Sequence, residues 1–91
     1  SNNMMITIKK LDQSQIDELN IMSWPIWTKE KSIFDWHYDE TEECLLIEGK
    51  VKVTANNEEV IFGKGDFVSF PKGLSCTWEV IEPVKKHYNF K

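Results

Sequence analysis

The chain has 91 residues, 41% of them hydrophobic, and a net charge of −4. It can form one domain, residues 1–91, whose modest core buries roughly 60–65% of the unfolded surface. Its acids are scattered and its lysines form no stripe, which excludes the basic face that nucleic acid or an anionic membrane surface needs. No apolar run reaches the roughly 18 residues of a membrane span. No charged-then-apolar leader marks a signal peptide. Cys44 and Cys76 lack C-x-x-C spacing and are too few for a disulfide scaffold, so a reducing, cytoplasmic setting is expected. Ser1-Asn2-Asn3 ahead of Met4-Met5 reads as an expression remnant and stands outside the functional argument.

Met5 to Lys9 fits a short edge strand. Leu11 to Met22 reads as one brief helix, with Ser14 as its N-cap, Asp17 three residues on, and Ile16, Leu19 and Met22 along one side. Trp24-Pro25 ends it, because the residue before proline avoids helical geometry. Strand signals then recur: Trp24 to Lys29, Ser32 to Tyr38, and Thr41 to Glu48 closed by Gly49. Lys50 to Thr54 alternates, which places Val51 and Val53 on a buried face. Asn56-Asn57 suits a hairpin turn, since asparagine tolerates positive φ. Val60 to Phe62 returns, Gly63 to Asp66 turns, and Phe67 to Phe70 is the next strand. Pro71-Lys72-Gly73 forms a rigid corner before Ser75 to Ile81. Glu82-Pro83 reads as the last turn, before Val84 to Phe90. About eight or nine short strands behind one helix predict an all-β closed sandwich or barrel. The antiparallel jelly roll is the natural candidate.

The stretch from Gly63 to Trp78 reads GKGDFVSFPKGLSCTW. In register it is G-x5-P-x-G-x2-C, from Gly65 through Pro71 and Gly73 to Cys76. This resembles the second signature of the cupin superfamily, with cysteine where that family's metal-binding histidine stands. Glu42-x6-Gly49 fits the second half of the first cupin signature, G-x5-H-x-H-x3-4-E-x6-G. Counting back with the longer spacing reaches Asp35 and His37, and with the shorter one Trp36 and Tyr38. Phe34, Trp36 and Tyr38 share one strand face while Asp35 and His37 share the other, so burying the aromatics puts Trp36 and Tyr38 in the histidine positions. The pattern after the helix is similar to small single-domain cupins related to ureidoglycine aminohydrolase and ethanolamine-utilisation protein Q. The matching features are Trp24 to Trp27, Phe34 to Trp36, Glu42 to Val53, Gly65-Asp66, Phe70 to Gly73, Cys76-x-Trp78 and Lys86-His87-Tyr88. The resemblance implies a cupin-type antiparallel jelly-roll β-barrel with one short N-terminal helix. It says little about substrate, because cupins host isomerases, oxygenases, hydrolases and storage proteins alike.

On the last strand Lys86 shares parity with Val84, Tyr88 and Phe90, so it points inward while Lys85, His87 and Asn89 face out. A buried ammonium needs a carboxylate or a ligand anion. Glu42 is the candidate by motif position, and Glu43 is its rival because Leu45 and Ile47 share that parity. The alternative is that Lys85-Lys86 merely protects a strand edge. Cys76 shares a face with Trp78 and Val80 and stands at the motif's ligand position. It is either a small buried hydrophobe or, beside a lysine that favours its thiolate, a nucleophile, proton donor or soft ligand. Cys44 reads as packing. His37 and His87 read as exposed histidines that titrate and do no more.

The expected site therefore has Glu42, Cys76 and Lys86 as catalytic groups. Trp36, Tyr38, Trp78 and Tyr88 would hold a small polar metabolite, a sugar or a ureide, with no metal or other cofactor. Proton transfer, as in an isomerase or an amidohydrolase-like step, is the chemistry such a set supports. Two alternatives stay open. One is a metal-dependent cupin using Asp35, His37, Glu42 and Cys76 to hold Zn²⁺, Fe²⁺ or Mn²⁺. The other is a binding module with the same pocket and no turnover. The apolar strand Trp24 to Lys29 predicts a homodimer.

Overall fold

The computed structural model describes residues 5–91. Ser1-Asn2-Asn3, expected to be a remnant, lie outside the described residues. In chain order the elements are β1 (Thr7–Lys10), α1 (Gln13–Glu18), a 3₁₀ turn (Ile21–Ser23), β2 (Ile26–Lys29), β3 (Ser32–His37), β4 (Glu42–Ala55), β5 (Glu58–Gly63), β6 (Asp66–Phe70) and β7 (Ser75–Phe90). Every pairing between these strands is antiparallel. Among the described residues no helix is long and apolar enough to cross a membrane.

Two predicted breaks are bends instead. β4 runs through Gly49, and β7 runs through Glu82-Pro83. The two strands pair along their whole length, with register shifts between Leu46 and Val51 where both turn. Gly49 adopts a φ of 100°, and a Cβ there would collide with the Pro83 carbonyl and sit 2.7 Å from the Val84 Cα. Only glycine lets the two backbones approach this closely at the corner. Pro83 sacrifices one ladder donor at the same place, where the ladder is already irregular.

The bend divides one sheet into two halves that share β4 and β7. The first half runs β1-β6-β4-β7-β2, and in the second β5 and β3 flank the other ends of β4 and β7. Val51, Val53, Phe62, Trp78 and Val80 of the second half pack against Cys44, Leu46, Val68, Phe70 and Val84 of the first. The result is the all-β jelly roll with one short N-terminal helix. Hairpin Asn56-Asn57 forms as predicted, both residues at positive φ.

The helix is shorter than its sequence pattern suggests, and its cap is Asp12 and not Ser14. Asp12 Oδ1 accepts from Gln15 N at 2.9 Å, and Gln15 Oε1 accepts from Asp12 N at 2.9 Å. This reciprocal box satisfies two amides at once, which Ser14 with Asp17 does not. Asn20 stops the helix in the left-handed region, at φ 56°. Leu19 and Met22 therefore point to solvent, while Ile21 is fully buried against Leu45 and Phe67, with Ile16 and Trp24 beside them. This small cluster covers the outer side of the first half-sheet. The main core lies on its inner side.

Candidate functional site

On β4 the side chains of Glu42, Cys44 and Leu46 alternate inward, and β7 answers with Phe90, Tyr88 and Lys86 at the matching register positions. Lys86 stands opposite Leu46, four residues along from Glu42, and its long stem spans the offset. The Lys86 Nζ lies 2.7 Å from Glu42 Oε2, and each residue is only 5% exposed. The rival Glu43 points outward to Lys91 at 3.5 Å.

Aromatic rings surround the ammonium. Its Nζ lies 4.8 Å from the ring centroids of both Trp27 and Trp78, and 6.0 Å from those of Phe70 and Tyr88. Each ring face carries negative quadrupole density, so the rings replace part of the lost hydration of the cation. Trp27 reaches this position because β2 pairs with β7 at Trp27 and Lys86.

Tyr38 stacks on Phe70 at 4.7 Å and accepts a hydrogen bond from Trp78 Nε1 at 3.1 Å. Burial, with a smaller push from the Glu42 charge, raises its phenol far above the ordinary value, so Tyr38 stays neutral and keeps its proton. These groups bound a cavity of about 260 Å³. Trp27, Phe34, Tyr38, Trp78 and Tyr88 form its apolar walls, and Glu42 and Lys86 are its charged groups. Trp36 and Phe90 also line it and are 52% and 48% exposed, which places them at its open side.

Of the expected residues, Glu42, Lys86, Trp36, Tyr38, Trp78 and Tyr88 all line this one cavity. Cys76 does not. It is buried opposite Trp36 in the β3–β7 ladder, within the apolar core. Burial, helped by the Asp35 charge, pushes its thiol up to about 11, the reverse of the thiolate expected beside a lysine. The lysine acts on Cys44 instead. Burial raises that thiol to about 12, with the Lys86 charge pulling the other way. The expected trio is thus a pair, and motif position alone misplaced the thiol.

Asp35 and His37 lie on the outer face, as strand alternation predicts. Asp35 accepts from Thr77 Oγ1 at 2.8 Å, and His37 Nδ1 meets Ser75 Oγ at 2.7 Å. His87 also faces away from the cavity, but the expectation that it is exposed fails. It is 4% exposed because the 3₁₀ turn Ile21–Ser23 and Trp24 cover that side of the sheet. Its Nδ1 lies 2.9 Å from the Trp24 carbonyl oxygen, which can only accept, so the ring nitrogen donates. Sequence reasoning missed Trp27, Phe34 and Phe90 as lining residues. Parity on β3 and β7 already places Phe34 beside Trp36 and Phe90 beside Lys86. Nothing local told Trp27 from its neighbours.

An antiparallel jelly roll with one short N-terminal helix has the architecture of a cupin. Residues 16–88 match the model of the EutQ-like cupin domain, and the chain belongs to that family. Among solved structures, a DUF861 family protein from Thermotoga maritima is 49% identical over 96% of this chain and 100% of its own, with a TM-score of 0.93. The EutQ protein of Clostridium difficile is 20% identical over 91% of this chain, with a TM-score of 0.66. A putative ethanolamine utilization protein Q from Salmonella typhimurium is 22% identical over 91%, with a TM-score of 0.65. The present chain covers 64% and 66% of those two proteins, and at such identities the likeness is one of fold. No curated protein matches the chain.

Proposed function

We propose that the chain binds a small polar metabolite, a sugar or a ureide, in the cavity between the two half-sheets, with Glu42 and Lys86 as its polar recognition groups. The observation that carries this reading is the buried Lys86–Glu42 pair exposed to a cavity of about 260 Å³ with aromatic walls. A few convergent polar groups among apolar ones are the usual make-up of a small-molecule site. The flat rings stack on a sugar or planar amide, and the pair, its two groups 2.7 Å apart, offers the ligand a proton donor and a proton acceptor side by side.

A resident metal is not part of this reading, because the donors do not suit one. Trp36 and Tyr38 occupy the histidine positions, the Cys76 thiol holds its proton, and the Glu42 charge is already matched by an ammonium. Asp35 and His37 lie with Cys76 along a separate surface depression, whereas Glu42 lines the cavity with Phe34, Trp36 and Tyr38, so the alternative metal set is divided between two places.

Calorimetric titration with a panel of sugars, ureides and small amides tests the proposal. Saturable binding is expected, and the double variant Glu42→Gln/Lys86→Met, which removes both charges together, should stay folded and lose it. Undiminished binding in that variant, or a silent panel, contradicts it.

We also propose that two copies of the chain pair through the outer face of the second half-sheet. The strand expected to supply that surface turns Trp27 into the cavity and leaves Ile26 exposed. On the second half-sheet Ile33 is 69% and Ile61 54% exposed. They flank a Lys52–Glu79 contact of 3.3 Å, an arrangement that can complement itself across a twofold axis. Sedimentation equilibrium giving only a 10.7 kDa species overturns this.

A further inference from the structure

We propose that Lys86 is a covalent carbonyl-binding lysine, and that the ligands of this cavity include small aldehydes or ketones that it captures as an imine. This deepens the binding reading above and rests on it. Four observations lead there. The Lys86 amine is 5% exposed yet lines an open cavity. Its carboxylate partner, Glu42, is 2.7 Å away and lines the same cavity. Rings of Trp27, Phe70, Trp78 and Tyr88 hold the nitrogen from several sides. Of the two tyrosines that line the cavity, Tyr38 is already engaged by Trp78 Nε1.

A lysine becomes a nucleophile when a neighbouring base relieves it of a proton in a pocket poor in water. Here Glu42 takes one ammonium proton, leaving a neutral amine and a carboxylic acid. The amine nitrogen attacks the carbonyl carbon, a C–N bond forms, and a proton moves from nitrogen to oxygen to give the carbinolamine. Glu42 then returns its proton to that hydroxyl. The C–O bond breaks, water leaves, and the nitrogen lone pair closes the C=N bond. Ammonium, carboxylate and carbonyl become iminium, carboxylate and water, with protons and charge in balance and no oxidant or reductant needed. The product cation stands where the ammonium stood. The same carboxylate and rings that stabilise the ammonium therefore stabilise the iminium, without reorganising.

Lys85 is the internal control. It is the next residue on β7, faces the other way, and borders a separate surface depression with Thr28 and Glu48. The folded protein is incubated with propionaldehyde and sodium cyanoborohydride, then digested and mapped by mass spectrometry. Reductive alkylation at Lys86 is expected at least tenfold faster than at Lys85, and Glu42→Gln should slow it at Lys86 alone. The wild-type comparison decides the matter even if that variant does not fold. Equal labelling of the two lysines, or none at Lys86, overturns the proposal. Calorimetry with ureides, small amides and a non-reducing sugar, none of which forms an imine with an amine, separates the two readings. Binding there with no adduct at Lys86 rejects the covalent step and keeps the site, whereas absence of both rejects the two together.

Discussion

Lys86 and His87 are neighbours on one strand, both about 95% buried, and they are buried for opposite reasons. Lys86 enters the space between the half-sheets, where a carboxylate and four rings compensate its charge. His87 enters the space under the 3₁₀ turn and Trp24, where it donates to the Trp24 carbonyl. The two environments differ in what they ask of the chain. The inner one holds a full charge out of water and keeps an opening to solvent. The outer one closes a small apolar cluster, Ile21 with Leu45 and Phe67. A polar residue under a structural cover can be lost cheaply. A charge in the inner cavity cannot.

The largest expected effect comes from breaking the inner pair. Lys86→Met or Glu42→Gln alone strands a buried charge and should cost about 3–5 kcal/mol in urea unfolding. The double variant should recover most of that loss, since the penalty belongs to the unmatched charge and not to the contact. If the two single losses simply add in the double variant, the pair is not coupled and the inner half of the comparison fails.

Alkaline pH sharpens the contrast next, because both thiols lie on the inner side. In the fold Cys76 and Cys44 hold their protons up to about 11 and 12, while unfolded thiols release theirs near 9.0. The unfolded chain therefore sheds protons first. Stability is complete below about pH 9 and declines as pH rises towards those folded values. The melting temperature should fall from pH 9 to 11, less steeply in Cys76→Ala and with unchanged slope in His87→Leu. An identical slope in Cys76→Ala contradicts the assignment.

On the outer side the expected costs are smaller. His87→Leu removes one hydrogen bond to a backbone carbonyl and should cost about 1 kcal/mol. Asp12→Ala removes the helix cap and should also cost about 1 kcal/mol, within the usual range for such caps. Neither should alter ligand binding, which calorimetry can check. A weakened affinity in either variant would join the two environments that the structure separates.

Much of this was legible in the sequence, and the failures have physical causes. Period-two alternation placed Val51 and Val53 inward, Asp35 and His37 outward, and Lys86 inside. Motif spacing then chose Glu42 over Glu43. Alternation names a face, however, and not what covers it, so it cannot show that the 3₁₀ turn and Trp24 bury His87. Nor does it give depth along a strand, which is why Cys76 shares the inner face yet misses the cavity. Gly49 and Pro83 read locally as chain turns. Only the collision that a Gly49 Cβ would make with Pro83 reveals two long strands bending together. At the helix, Ser14 and Asp12 offered similar capping chemistry, and the reciprocal bond from Gln15 decided between them.

The central claim is that ligand binds on the inner side, at the Lys86–Glu42 pair, and the four tryptophans report on it separately. Trp27, Trp36 and Trp78 line the cavity, whereas Trp24 packs against Phe67 on the outer side, 6.4 Å between ring centroids. In a nitrogen-15 NMR titration with a metabolite that binds, the indole N–H resonances of Trp27, Trp36 and Trp78 should shift and that of Trp24 should stay in place. A shift at Trp24 with the other three unmoved would contradict the account.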